Sequence, residues 1–168
     1  MKALVKAYDS IVVGLAILAG GMLVWLMVAI IVSVLQRNLG MQPAAWLFVS
    51  TEYAMFYLTL IGAPWLVRHR GHVYIEIVTA ALPAAALNIF SRLVCLLCVV
   101  VCAVMAYKGA ELVGLNVTRK DFDVRAYFFP TWILSIAFPV SFGLMAIEFM
   151  RFVVGPTTMH TGQAGLKE

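Results

Sequence analysis

Long apolar runs broken by short polar ones set the pattern of this chain, and four of the runs are long enough to cross a bilayer. Ser10 to Leu35 has no charged residue and predicts a first span over about 10–35. Gln36 to Pro43 is a polar turn, and the next run gives a second span over 44–67 with Glu52 inside it. A third span is predicted over 84–107 and a fourth over 128–150, opened by the aromatic residues Tyr127, Phe128, Phe129 and Trp132. Between the second and third, His72, Glu76 and Thr79 recur at i, i+4 and i+7. They form one polar stripe on an apolar segment too short to cross, which predicts an interfacial helix over about 72–82. Lys108 to Tyr127 reads as a solvated loop, and residues 155–168 as a flexible Gly/Thr-rich tail after a membrane domain over 1–154.

Composition agrees, with 64% hydrophobic and 12% charged residues. The fold class is an all-α integral membrane protein with four transmembrane helices and a short interfacial helix after the second. The first run is about twice as long as the apolar core of a signal peptide and is followed by Gln36-Arg37-Asn38, so it reads as a retained span. Gly14, Gly20 and Gly21 are expected to be close-packing positions within it. A net charge of +4 suits a membrane protein with Lys and Arg at its edges and gives no support to nucleic-acid binding. Lys2, Lys6, Arg68, Arg70, Arg92, Arg151 and Lys167 fall on one side, and Arg37, Lys108, Arg119, Lys120 and Arg125 on the other. This bias places both termini and the 68–82 joint in the cytoplasm.

Candidate chemistry is sparse. Cys95, Cys98 and Cys102 share one helical face without a nearby His, which favours packing over metal or redox chemistry. His69, His72 and His160 lie outside the spans, where they make poor axial haem ligands. No nucleophile–base constellation or phosphate loop occurs, so no catalytic, cofactor or metal residue is assigned. Glu52 has two readings: buried two turns deep if the helix crosses from Ala44, or near the surface if Met41–Phe48 lies along the interface. A mid-bilayer carboxylate costs roughly 2.5–3.5 kcal/mol on insertion scales, so it is a candidate for a helix–helix contact or for ion coupling. Arg68, Arg70, His72 and Glu76 read either as topology-setting charges over lipid headgroups or as a hydrogen-bonded corner that docks another protein. Trp65 belongs to an aromatic belt and Arg92 to the entry of the third span. Pro139 removes the bond to the Ser135 carbonyl, which predicts a kink that Ser141 or a neighbouring helix re-satisfies. Glu148 and Arg151 are placed to pair at i, i+3.

The order of these features resembles the DctQ-like small membrane subunit of tripartite ATP-independent periplasmic (TRAP) transporters. The resemblance is carried by Glu52, Gly62-Ala63-Pro64-Trp65, Arg68-His69-Arg70-Gly71-His72-Val73 and Glu76. Trp132 and Phe138-Pro139-Val140-Ser141-Phe142-Gly143 of the fourth span look similar too, and the likeness covers most of residues 10–150. Glu76 stands where the family more often has Asp, and Pro64 is unusual at that helix end. The resemblance implies a scaffold or accessory subunit in the inner membrane, partnering a large multi-span permease for ion-coupled uptake of an organic acid delivered by a periplasmic substrate-binding protein. The headgroup reading of the basic joint makes membrane lipids further partners, and Glu52, Trp65, Arg68, Arg70, His72, Glu76, Arg92 and Pro139 stand as interface or structural candidates. Two other classes stay open: an autonomous proton-coupled exporter using Glu52, and an anchor subunit of a redox complex.

Overall fold

The computed structural model describes residues 2–69, 83–123 and 129–155. The expected interfacial helix over 72–82, with its corner residues Arg70, His72 and Glu76, lies outside them, as does the tail beyond Gly155. In chain order come α1 (Lys2–Asn38), α2 (Ala45–Arg68), α3 (Ala84–Arg119), a two-residue antiparallel pair β1 (Phe122–Asp123) and β2 (Phe129–Pro130), and α4 (Thr131–Val154). All four helices are long and apolar enough to cross a membrane, and at most 28% of the most apolar window of any of them is buried within the chain. Most of their apolar surface therefore faces outward.

Packing runs in a row: α1 lies on α2, α2 on α4, and α4 on α3. Tyr8, Val12, Leu15, Ala19, Met22, Leu26, Ala29, Ser33 and Gln36 alternate four and three residues apart and are all buried or half-buried. That is the seam of a left-handed helix pair. Gly14, Gly20 and Gly21 fall off the seam, and among the described residues nothing beyond their own helix backbone and chain neighbours lies within 4 Å of a Cβ added to them. The close-packing role expected of them is not seen among the described residues, where Ala19 holds the small-residue position opposite Gly62.

A Schellman motif closes α1: Met41 N–H bonds Gln36 O at 2.9 Å, Gly40 N–H bonds Arg37 O at 3.1 Å, and Gly40 takes φ 72°. α3 closes in the same way with Lys120 at φ 54°.

α3 departs from the sequence reading by continuing to Arg119, through residues expected to form a loop. Its inward positions explain this. Cys95, Cys98, Cys102, Ala106, Gly109, Val113 and Asn116 recur three or four residues apart and are buried or half-buried. The charged residues fall on the other side, where Lys108 pairs with Glu111 at 2.7 Å. Gly109 marks the closest crossing, since a Cβ there would stand 3.0 Å from Pro139 Cδ and 3.2 Å from Phe138 Cβ. The three cysteines are free, and Cys95 and Cys102 are buried with Val67 and Phe149 in the main apolar cluster, which Cys98 joins at its edge.

Candidate functional site

Two groups of polar side chains stand at opposite ends of the helices. At the first, the start of α1 meets the ends of α2 and α4. Arg68 Nη2 donates to Asp9 Oδ1, and the same oxygen accepts from Arg151 Nη1 at 3.4 Å. Arg151 Nη1 also reaches Glu148 Oε1 at 3.5 Å, and the Glu148 side chain is only 2% exposed. Tyr8 donates its hydroxyl to the Leu144 carbonyl at 3.4 Å, while the Arg151 guanidinium stands 5.9 Å from the centre of its ring. Three helices are thus fastened by one carboxylate shared between two guanidinium groups, an arrangement that fixes geometry as well as charge. Arg68 Nη1 is buried without a hydrogen-bond partner among the described residues.

Beside this clasp, Trp65 stacks on His69 at 4.1 Å, and His69 Nδ1 lies 3.1 Å from the Trp65 carbonyl oxygen. Arg92 is not drawn in; it is exposed on α3 and bonds Asn88 Oδ1 at 3.2 Å.

Glu52 belongs to the opposite end. It stands in the second turn of α2, exposed, at the rim of a cavity of about 180 Å³ lined also by Tyr53, Phe56, Asp123 and Leu134. Tyr53 donates to Asp123 Oδ2 at 2.9 Å and packs its ring 5.7 Å from Phe129, tying α2 to the strand pair. Tyr57 donates to the Ile133 carbonyl at 2.7 Å, and buried Asn116 donates to Ser135 Oγ at 2.6 Å.

Between the two ends lie the prolines. α4 continues through Pro139, where Gly109 gives it room. Ser141 does not serve the carbonyl freed by Pro139. It donates instead to the Leu60 carbonyl of α2, the group whose helical donor is missing because residue 64 is proline. The sequence pointed to the right hydroxyl but the wrong proline, since which carbonyl it meets depends on how α2 and α4 are aligned.

Sequence reasoning missed Asp9 and Tyr8 as partners of Arg68 and Arg151. A signal was available: Asp9 is the lone acidic residue before Glu52, and it opens an apolar run whose neighbours end in Arg68 and Arg151. What the arrangement can do chemically is hold helices together. Among the described residues, no three His, Cys, Asp or Glu side chains converge as a metal site would require.

Residues 26–158 match the family model of the tripartite ATP-independent periplasmic transporters, DctQ component. The chain is also 23% identical, over 116 residues, to the isethionate TRAP transporter permease protein DctMQ of Oleidesulfovibrio alaskensis. That alignment covers 69% of this chain and 18% of the relative, so the chain spans under a fifth of that protein's length.

Proposed function

Because this chain belongs to the DctQ family of TRAP transporter components, we propose that it acts as a scaffold for a large multi-span permease subunit. The permease would carry the substrate, an organic acid handed over by a periplasmic binding protein, together with the coupling ion. The observation that supports a scaffold best is how the charged groups at the first end are used. Asp9, Arg68, Arg151 and Glu148 are engaged in fastening α1, α2 and α4, while the surface left outward is apolar and suited to lipid or to another membrane protein. A transporter working alone would line a pathway with several polar groups.

In this reading the chain resides in the inner membrane with the Arg68 end and both termini cytoplasmic. α1 starts and α4 finishes at that same end, consistent with this placement. Arg68, Arg70, His72 and Glu76 act in assembly with the permease, not in chemistry.

The test is affinity purification of the chain from native membranes. A larger membrane protein in stoichiometric amount, together with transport in liposomes supplied with the binding protein only when both membrane proteins are present, is the expected result. Transport by this chain alone, abolished by Glu52→Gln, would replace the scaffold reading with that of an autonomous exporter.

A further inference from the structure

The height of α3 in the membrane is fixed by its packing on α4. Toward one end of α4, Arg151 sits in the clasp with Asp9, which also holds Arg68, and at the other end the Thr131 N–H bonds Asp121 O next to the strand pair. α2 and α4 have 24 residues each, about 36 Å of helix, little more than the roughly 30 Å of hydrocarbon they must cross. The apolar layer therefore has hardly any freedom to move along them. Gly109 of α3 meets Pro139 at the closest crossing, and Asn116 meets Ser135 further along, so α3 is held antiparallel to α4 in one register. Pro139 is eight residues from Thr131 and twelve from Arg151, about 12 Å and 18 Å along the helix. Lys108 and Glu111 lie one residue before and two after Gly109, and so stand well inside the layer, close to its middle.

These two side chains turn away from α4 and are 65% and 52% exposed. They pair with each other, but pairing alone does not suit them to lipid. A lysine Nζ has three donors, of which the bond to Glu111 uses one, and a carboxylate offers about four acceptor positions. Hydrocarbon meets none of the rest, and an ion pair repays its desolvation there only when its remaining donors and lone pairs are met as well. A lysine near a helix end reaches the headgroups, whereas one at this depth does not. The opposite flank of the row makes no such demand. α1 carries no charge from Ser10 to Gln36, roughly 40 Å of helix, and exposes Ile17, Val24 and Ile31 along it, a surface that lipid covers at every height.

We propose that the outward face of α3 around the Lys108–Glu111 pair, edged by the exposed Val104 and Leu115, is the seat of a membrane helix of the large permease subunit. That helix is apolar at the level of Val104 and Leu115, and between them it brings an acceptor to Lys108 and a donor to Glu111. The inference rests on the scaffold reading above and adds which flank of the row the permease takes, the α3 flank, with α1 left to lipid. The partner completes the hydrogen bonding of a pair that its own helix satisfies only in part.

The experiment uses the full chain co-expressed with the permease. A photo-crosslinking amino acid replaces Val104 or Leu115 or, as an equally exposed control on α1, Val24. Adducts to the permease from positions 104 and 115, severalfold above those from 24, are expected. Exchanging the two charges, Lys108→Glu with Glu111→Lys, keeps an ion pair within α3 but reverses what it offers a neighbour. Expressed to the same level in membranes, that variant should lower permease recovery by about tenfold or more. Full recovery with the exchange overturns the inference and leaves the scaffold reading standing. So does an intact complex without permease adducts from 104 and 115, whether those positions label lipid, a second copy or nothing. Failure of the unsubstituted chain to recover any permease overturns both.

Discussion

Proline at position 64 withholds the N–H that the Leu60 carbonyl would accept, and the Ser141 hydroxyl of α4 takes its place. In hydrocarbon an unmet carbonyl has no water to fall back on, so this one bond joins backbone satisfaction to helix pairing. Ser141→Ala should destabilise the bundle by about 0.6–1.7 kcal/mol, from the average to the largest value measured for interhelical hydrogen bonds in membranes. Pro64→Ala restores the N–H, so in that background the same Ser141→Ala change should cost clearly less. Denaturation of the four proteins in detergent closes the cycle, and equal costs in both backgrounds would show that the hydroxyl has another role. Asp9 works by a different logic, as one carboxylate between two guanidinium groups. Asp9→Asn should lower the melting temperature, because Arg68 and Arg151 are then left facing each other. Adding Arg68→Gln should recover part of the loss by removing one of the two cations. An additive double variant would mean that the clasp contributes nothing as a unit.

At the scale of elements, the boundary that matters most is the end of α3. Lys108, Glu111, Arg119 and Lys120 look like a loop when counted by charge, yet Gly109, Val113 and Asn116 continue the inward stripe begun by the cysteines, and packing against α4 decides the matter. Gly109→Leu should separate α3 from α4 at Pro139 and cost about 1–3 kcal/mol, as overpacking does, whereas Gly114→Leu, where among the described residues no other element comes within 4 Å of an added Cβ, should cost much less. Thermal melting of both variants checks the contrast. Four spans were legible because twenty-odd apolar residues have few alternatives in a membrane. The clasp was not, because Asp9 lies 59 residues from Arg68 and 142 from Arg151, and no local pattern encodes contacts at such separations. The i, i+3 pair of Glu148 with Arg151 was legible for the opposite reason: helical geometry alone brings the two together.

For the whole molecule, the row of helices with an outward apolar surface, fastened by the clasp at one end of the helices, reads as a part made to be completed by another protein. Arg68 is the residue through which the two scales meet, since it holds α1 to α2 and leads into the segment whose Arg70, His72 and Glu76 are proposed to act in assembly. The most direct measurement is purification of the tagged chain from native membranes, followed by reconstitution with and without whatever co-purifies. The expected result is a larger membrane subunit in stoichiometric amount, uptake of an organic acid only when both subunits and the soluble binding protein are present, and loss of the complex in Arg68→Ala. A chain that purifies alone and transports alone would contradict it.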